Sequence, residues 1–164
     1  MVRPADPARD AATCAAIYAP AVTRGFASFE TEPPEPEEMA VRIGAAHLWL
    51  MADDAGYAYA GPFNERAGYD WSVSVAVYVA PGKQGRGIGR ALYGALLPAL
   101  EQRGFHWAMA GIALPNPGSE ALHAAFGFER VALYRDIGFK DGAWHDVAWS
   151  QRALAPLETP PRRR

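Results

Sequence analysis

The sequence predicts one α/β (α+β) domain, a mixed central sheet of about six to seven strands flanked by about four helices. Three observations predict it. The 164 residues suit a single core, against a prior of about 150 residues per domain. Strand-like and helix-like patterns alternate along the chain with no internal repeat or linker. One strictly alternating segment, 71–79, runs through a glycine-rich loop straight into an amphipathic stretch. Half of the residues are hydrophobic and 21% are charged, which excludes disorder, yet 33 are alanines. Alanine buries little surface, so the larger apolar side chains carry the core.

Taken in order, Val2–Pro4 reads as a short strand. Asp6 caps a helix with Pro7 at its first position, where the missing N–H costs nothing. Ala11, Cys14, Ile17, Tyr18 and Val22 recur at helical spacing, and Pro20 is expected to kink or end this helix before Gly25. TEPPEPEEM, 31–39, opens as an exposed turn and winds into a second helix reaching about Ala45, its glutamates at the positive end. His47–Asp53 and Tyr57–Ala60 form a hairpin across Asp53–Gly56. In 71–79, Trp71, Val73, Val75, Val77 and Val79 alternate with Ser72, Ser74, Ala76 and Tyr78, so one face is bulky and the other, mostly small, can line a cleft. The next helix, about Gly87–Arg103, buries Ile88, Leu92, Leu96 and Leu100; Gly104 stops it and Pro98 is expected to bend it. Phe105–Leu114 is a buried strand, and Ser119–Phe126 a short helix ended by Gly127. Arg130–Gly138 and Trp144–Leu154 pair across Lys140-Asp141-Gly142. Residues 1–155 make the domain, and the Pro/Arg tail, 156–164, is expected to be disordered.

Sixteen Lys and Arg against eighteen Asp and Glu leave too balanced a charge for nucleic acid or an anionic membrane as the main partner. The single cysteine, Cys14, forms no internal disulfide and no metal-binding Cys pair. The N-terminus MVRPADPARD has no apolar signal region. A soluble, cytoplasmic protein is expected, without a resident metal.

The strongest chemical signal is Gln84-Gly85-Arg86-Gly87-Ile88-Gly89, after a strand and at a helix start. Glycines permit close approach, and the orphan N–H groups of a helix N-terminus present partial positive charge to a phosphate. Arg86 and Arg90 can add ionic contacts, and Lys83 is a further candidate. A Walker loop is excluded because Arg90-Ala91 follows Gly89, and GxGxxG fails at Arg90.

The Gln-x-x-Gly-x-Gly spacing after Val77-Tyr78-Val79 resembles motif A of the GCN5-related N-acetyltransferases (GNAT). FASFETEPPEPEEM, YAYAGPFNERAGYDW, VYVAPGKQGRGIGRALY, GIALPNPGSEALHAAFGF and GFKDGAWHDVAW, in that order, resemble the phosphinothricin N-acetyltransferase branch over about Arg3 to Gln151. The resemblance implies the GNAT fold with a splayed fourth strand and acetyl-CoA as cosubstrate. Backbone at Val77, Tyr78 and Val79 would pair with the pantetheine arm, Gln84 to Gly89 and Arg90 would hold the pyrophosphate, and Asn116 would contact the cofactor arm with Ser119 as a secondary contact. It further implies direct transfer to the amine of a small anionic amino acid such as phosphinothricin or methionine sulfoximine, and a homodimer.

Direct transfer poses two proton problems. An amine of pKa about 10 is neutral in about one molecule in a thousand at pH 7, a deficit of roughly 4 kcal/mol, and the departing thiolate gains from a proton donor. His123 stands where the branch has a histidine, which implies general-acid or water-ordering duty. At the position aligned with Ser74 the branch has a glutamate base, and a hydroxyl cannot replace it. Three explanations stay open: Ser74 orders a water that relays the proton to bulk or to His123; Glu30, Glu32 or Asp70 reaches the site; or turnover is lost and the chain is an acyl-CoA-binding sensor. For the acceptor, the resemblance points to Arg66, Tyr69 and Lys140, an arginine fork suiting a carboxylate or phosphinate, and Trp71 can wall the cleft. His145-Asp146 is read as a structural hydrogen-bond pair, not a metal site.

Overall fold

The computed structural model describes residues 1–158; most of the expected disordered tail, 159–164, lies outside them. Seven strands and four helices follow one another as β1 (Val2–Pro4), α1 (Pro7–Thr23), α2 (Pro36–Ala45), β2 (Leu48–Ala52), β3 (Gly56–Pro62), β4 (Ser72–Val79), α3 (Ile88–Gln102), β5 (Trp107–Ala113), α4 (Pro117–Ala125), β6 (Glu129–Lys140) and β7 (Ala143–Ala153). A single 3-10 turn, Ala67–Tyr69, precedes β4.

The strands form one open mixed sheet, as the sequence predicts, and their order is β1-β2-β3-β4-β5-β7-β6. Every neighbour is antiparallel except β4 and β5. Alternation along the strands divides the core in two. On one face Leu48, Leu50, Ala58, Ala60, Val73 and Val75 meet Leu92, Tyr93, Leu96, Leu97 and Leu100 of α3. On the other, Trp49, Met51 and Tyr57 meet Cys14, Ile17, Tyr18 and Val22 of α1 and Met39 and Ile43 of α2.

Local signals explain most boundaries. The Asp6 carboxylate accepts from Ala8 N and Arg9 N at 2.9 and 3.0 Å, capping α1. Pro20 does not end that helix: it sits in the last turn, and Arg24 N still reaches Pro20 O at 3.0 Å. α3 runs without interruption across Pro98. α4 starts two residues earlier than the sequence suggests, because Asn116 caps it and Pro117 is tolerated in a first turn. β6 runs longer than expected, its pairing with β7 irregular between Arg130/Ala132 and Tyr134/Gly138. Asp136, at φ 48°, lies in the second irregularity, where its N–H donates to Asp146 Oδ1 at 2.8 Å. His145 bonds the carbonyl of Lys140 at 3.0 Å. The two side chains expected to pair with each other thus bond separate partners, since successive strand residues point to opposite faces.

The feature that positions the site is a failure of pairing. β4 and β5 match only over Ser72↔Trp107, Val73↔Ala108 and Ser74↔Met109. β3 then carries β4 as far as Gly56↔Val79, while β7 carries β5 as far as Ala113↔Val147. Each half-strand follows its outer neighbour, so the two diverge after Ser74 and open a wedge.

Candidate active site

A cavity of about 850 Å³ fills the wedge, walled by β4, β5, the end of α1 with its following loop, and the starts of α3 and α4. One edge is strand backbone. Ala80 N bonds Ala55 O at 2.9 Å, which makes Val79↔Gly56 and every second pair below it of the non-hydrogen-bonded type. The N–H and C=O groups of Val75, Val77 and Val79 therefore turn away from β3 and toward the wedge. Tyr78 lines the cavity with them, its ring 4.9 Å edge-on from that of Tyr18.

At the far end lies the loop 81–87. Gly85 and Gly87 have φ of 74° and 77°, left-handed conformations that a side chain strains; a Cβ at either would meet nothing within 4 Å, so the space in front of both is open. Gly87 begins α3 with no side-chain cap, and the first helical bond is Ala91 N to Gly87 O at 2.9 Å. The N–H groups of Ile88, Gly89 and Arg90 are thus the orphan donors of the helix start, with the macrodipole behind them. Gln84 Nε2 donates to Val79 O at 3.3 Å, tying the loop to β4. Arg90 lines the cavity, its guanidinium 5.9 Å from the Phe126 ring. Arg86 is exposed and outside the wall, and Lys83 is paired with Asp54 at 2.7 Å.

α4 supplies the third wall. Asn116 Oδ1 accepts from Ser119 N at 3.1 Å, leaving the amide NH₂ as the group it can offer. His123 is buried at 4% exposure. Its Nδ1 lies 2.7 Å from the Ser119 carbonyl and 3.3 Å from Ser119 Oγ; a carbonyl only accepts, so the proton sits on Nδ1. Nε2 is then an acceptor, and the buried Tyr93 hydroxyl donates to it at 2.9 Å. Burial pushes the His123 pKa below its usual 6.5, the Ser119 carbonyl opposing this in part. Tyr93 is a site residue that the sequence does not disclose, since at the buried face of α3 it reads as core.

Ser74 sits at the apex where β4 and β5 part, half-buried. The other proposed proton acceptors lie elsewhere. Glu30 is gripped by Arg42 at 2.8 and 3.2 Å, and Glu32 and Asp70 are exposed. The four acceptor candidates do not line the cavity. Arg66 is exposed, its backbone N bonded to Asn64 Oδ1 at 3.1 Å. Tyr69 ends the 3-10 turn, 5.8 Å from the Phe63 ring. Trp71 offers its carbonyl to His106 N and Trp107 N, starting the parallel pairing. Lys140 Nζ donates to the carbonyls of Ser28 and Glu30 at 2.5 and 2.9 Å. Among the described residues no group of three or more His, Cys, Asp or Glu could hold a metal ion, and no helix is long and apolar enough to cross a membrane.

The family model described as an acetyltransferase (GNAT) domain matches residues 9–149. The chain is 40% identical over 168 residues to the phosphinothricin N-acetyltransferase of Streptomyces viridochromogenes, covering 98% of this chain and 91% of that protein. It is 36% identical over 99 residues to the L-methionine sulfoximine/L-methionine sulfone acetyltransferase of Salmonella typhimurium, covering 60% and 58%. The solved phosphinothricin acetyltransferase of Sinorhizobium meliloti, in complex with AcCoA, superposes with a TM-score of 0.89 at 37% identity, covering 94% of this chain and 88% of that one. Relatives named for acetyl transfer favour an enzyme over the sensor that Ser74 suggested. The chain belongs to the GCN5-related N-acetyltransferases, acetyl-CoA-dependent enzymes, within the branch that holds the phosphinothricin acetyltransferases.

Proposed function

We propose that the protein acetylates the α-amine of a small anionic amino acid of the phosphinothricin or methionine sulfoximine kind. The observation that supports it most is the wedge, which joins unpaired strand backbone to a glycine loop at a helix start. Such a slot suits an amide-bearing arm ending in a diphosphate. The groups that would hold acetyl-CoA are the backbone of Val77 and Val79, the N–H groups of the loop Gln84 to Gly89 and of Arg90, and the Asn116 amide. When bound, acetyl-CoA supplies the thioester whose acetyl group the amine attacks.

The chain's own part is to position the amine and dispose of its proton. Glu30 is committed to Arg42, which leaves Ser74, in the last register pair that β4 shares with β5 and next to Val75, where the cavity lining begins on β4. Its hydroxyl both donates and accepts, so it can order a water that carries the proton toward bulk. His123, neutral and with both nitrogens engaged, keeps the α4 wall fixed, and water-ordering or acid duty at its ring would need one of those two bonds to open.

The enzyme works as a homodimer in the cytoplasm. In support, large apolar side chains stand exposed on the edge hairpin, among them Ile137, Phe139 and Trp144 at 58%, 61% and 61%, where a second copy would cover them. The one thiol, Cys14, is buried and suits a reducing setting.

The test is release of free coenzyme A thiol from acetyl-CoA across a panel of amino acids, in wild type and Ser74→Glu. Wild type turns over, and Ser74→Glu gains about tenfold or more at pH 7, because a positioned base contributes about 10²–10⁴. No release with any amine on the panel would falsify the proposal.

A further inference from the structure

We infer that Asp54, a residue outside the wedge, sets how tightly the protein holds its cofactor by competing with a cofactor phosphate for Lys83. The inference rests on the wedge being the acetyl-CoA site and adds a residue that is not part of its wall. Three backbone bonds place the pair. Ala55 N bonds Ala52 O at 2.9 Å and closes the β2–β3 turn. Ala80 N bonds Ala55 O at 2.9 Å and holds that turn against the end of β4, and Lys83 N bonds Ala80 O at 3.0 Å and closes the next turn. The two turns are thus joined main chain to main chain, and the first sets a carboxylate beside the ammonium of the second. Lys83 Nζ lies 2.7 Å from Asp54 Oδ1.

Lys83 lines the cavity with Gln84, Gly85 and Gly87, and Asp54 does not. Arg24 and Arg90 also stand in that wall, but Lys83 belongs to the glycine loop itself. A phosphate drawn to the orphan N–H groups at the start of α3 therefore meets a loop cation that is already paired. The neighbouring carboxylate, Asp53, faces the Met1 amine at 2.9 Å, and Arg86 lies outside the wall. The Asp54 side chain is 77% exposed, and an exposed ion pair is weak, so a charge-assisted bond to phosphate can displace it. Acetyl-CoA and coenzyme A carry the same phosphates. The competition consequently acts on substrate and product alike, as uniform binding, and leaves the chemical step alone.

The experiment titrates coenzyme A, and dephospho-coenzyme A without the 3′-phosphate, into wild type, Asp54→Asn, Lys83→Met and the double variant. It is run at about 0.15 M salt, where exposed charges more than about 8 Å apart are largely screened. Asp54→Asn tightens Kd for coenzyme A about two- to fivefold, the range an exposed pair can withhold. It lowers KM for acetyl-CoA and the inhibition constant of coenzyme A by the same factor and leaves KM for the acceptor within about twofold. Lys83→Met weakens binding, and in its background Asp54→Asn has no further effect, the coupling expected of two residues that act as one unit. A gain kept with dephospho-coenzyme A assigns the exchange to the diphosphate, and a gain lost with it assigns the exchange to the 3′-phosphate; both support the inference. An Asp54→Asn variant that binds no more tightly than wild type overturns it, as does an undiminished gain in the Lys83→Met background. Wild type that binds neither ligand would remove the acetyl-CoA site itself and the inference with it.

Discussion

Between Ser119 and Tyr93 the His123 ring has no freedom of tautomer. The carbonyl on one side accepts only, so the hydroxyl on the other must donate. Burial lowers its pKa, and the folded chain therefore binds a proton less readily than the unfolded chain, whose histidine titrates at 6.5. The stability this group contributes is complete above pH 6.5 and is lost as pH falls through 6.5 toward the depressed folded value. Asp10 titrates in another window: the Arg3 guanidinium, above all, holds it below 3.8 despite burial, so its contribution is lost only as pH falls from about 3.8. Melting curves from pH 7 to 5 should show wild type losing stability and His123→Gln losing distinctly less; identical slopes would mean that the ring is not held neutral. Tyr93→Phe leaves Nε2 buried without a partner and should cost about 1–3 kcal/mol. His123 is legible in the sequence because its motif marks it, whereas its partner lies 30 residues away among the apolar side chains of α3.

Lys140 illustrates what an element does with a residue whose type suggests a ligand contact. The β6–β7 hairpin folds over the loop between α1 and α2, where His145 stacks on Phe26 at 3.9 Å and Lys140 ties the carbonyls of Ser28 and Glu30. That loop supplies Arg24 and Ala27 to the cavity wall, and its Ser28 Oγ meets the Tyr18 hydroxyl at 2.6 Å. The cation acts as a strap across 112 residues of sequence, a relation that no local pattern encodes. Lys140→Met should raise KM for acetyl-CoA several-fold and change KM for the acceptor less, since the loop it ties walls the wedge and a charged hydrogen bond is worth about 1.5–3 kcal/mol. Lys140→Arg should restore part of the loss. Equal effects on both Michaelis constants would show a general loosening instead. Local chemistry does reveal the strands and helices themselves: Asp6 and Pro7 start α1, the hairpin turn joins β2 to β3, and the stripe from Ile88 to Leu100 lays α3 on the sheet.

At the scale of the molecule, the wedge arises from competition between neighbours. β4 keeps register with β3 along its whole length and β5 with β7, and the two halves share only three register pairs, ending at Ser74↔Met109. Valine alternation in 71–79 identifies the strand, but the partner it keeps depends on residues 56–62 and 143–153 together, so the splay enters the sequence reading only through resemblance. A ligand filling the gap touches both halves and α3, and it binds the folded chain alone. At a hundred times its Kd it adds about 2.7 kcal/mol, which for a chain of this size raises Tm by roughly 5–10 °C at about 2–4 °C per kcal/mol. Acetyl-CoA should produce that rise. Gly87→Trp puts a large ring into the open space before the helix start, and the strain of a side chain at φ 77° lowers its own Tm by the equivalent of about 1–2 kcal/mol. The quantity to compare is therefore the increment on adding acetyl-CoA, which should vanish in this variant. An undiminished increment would place the diphosphate elsewhere in the wedge and detach the glycine loop from cofactor binding.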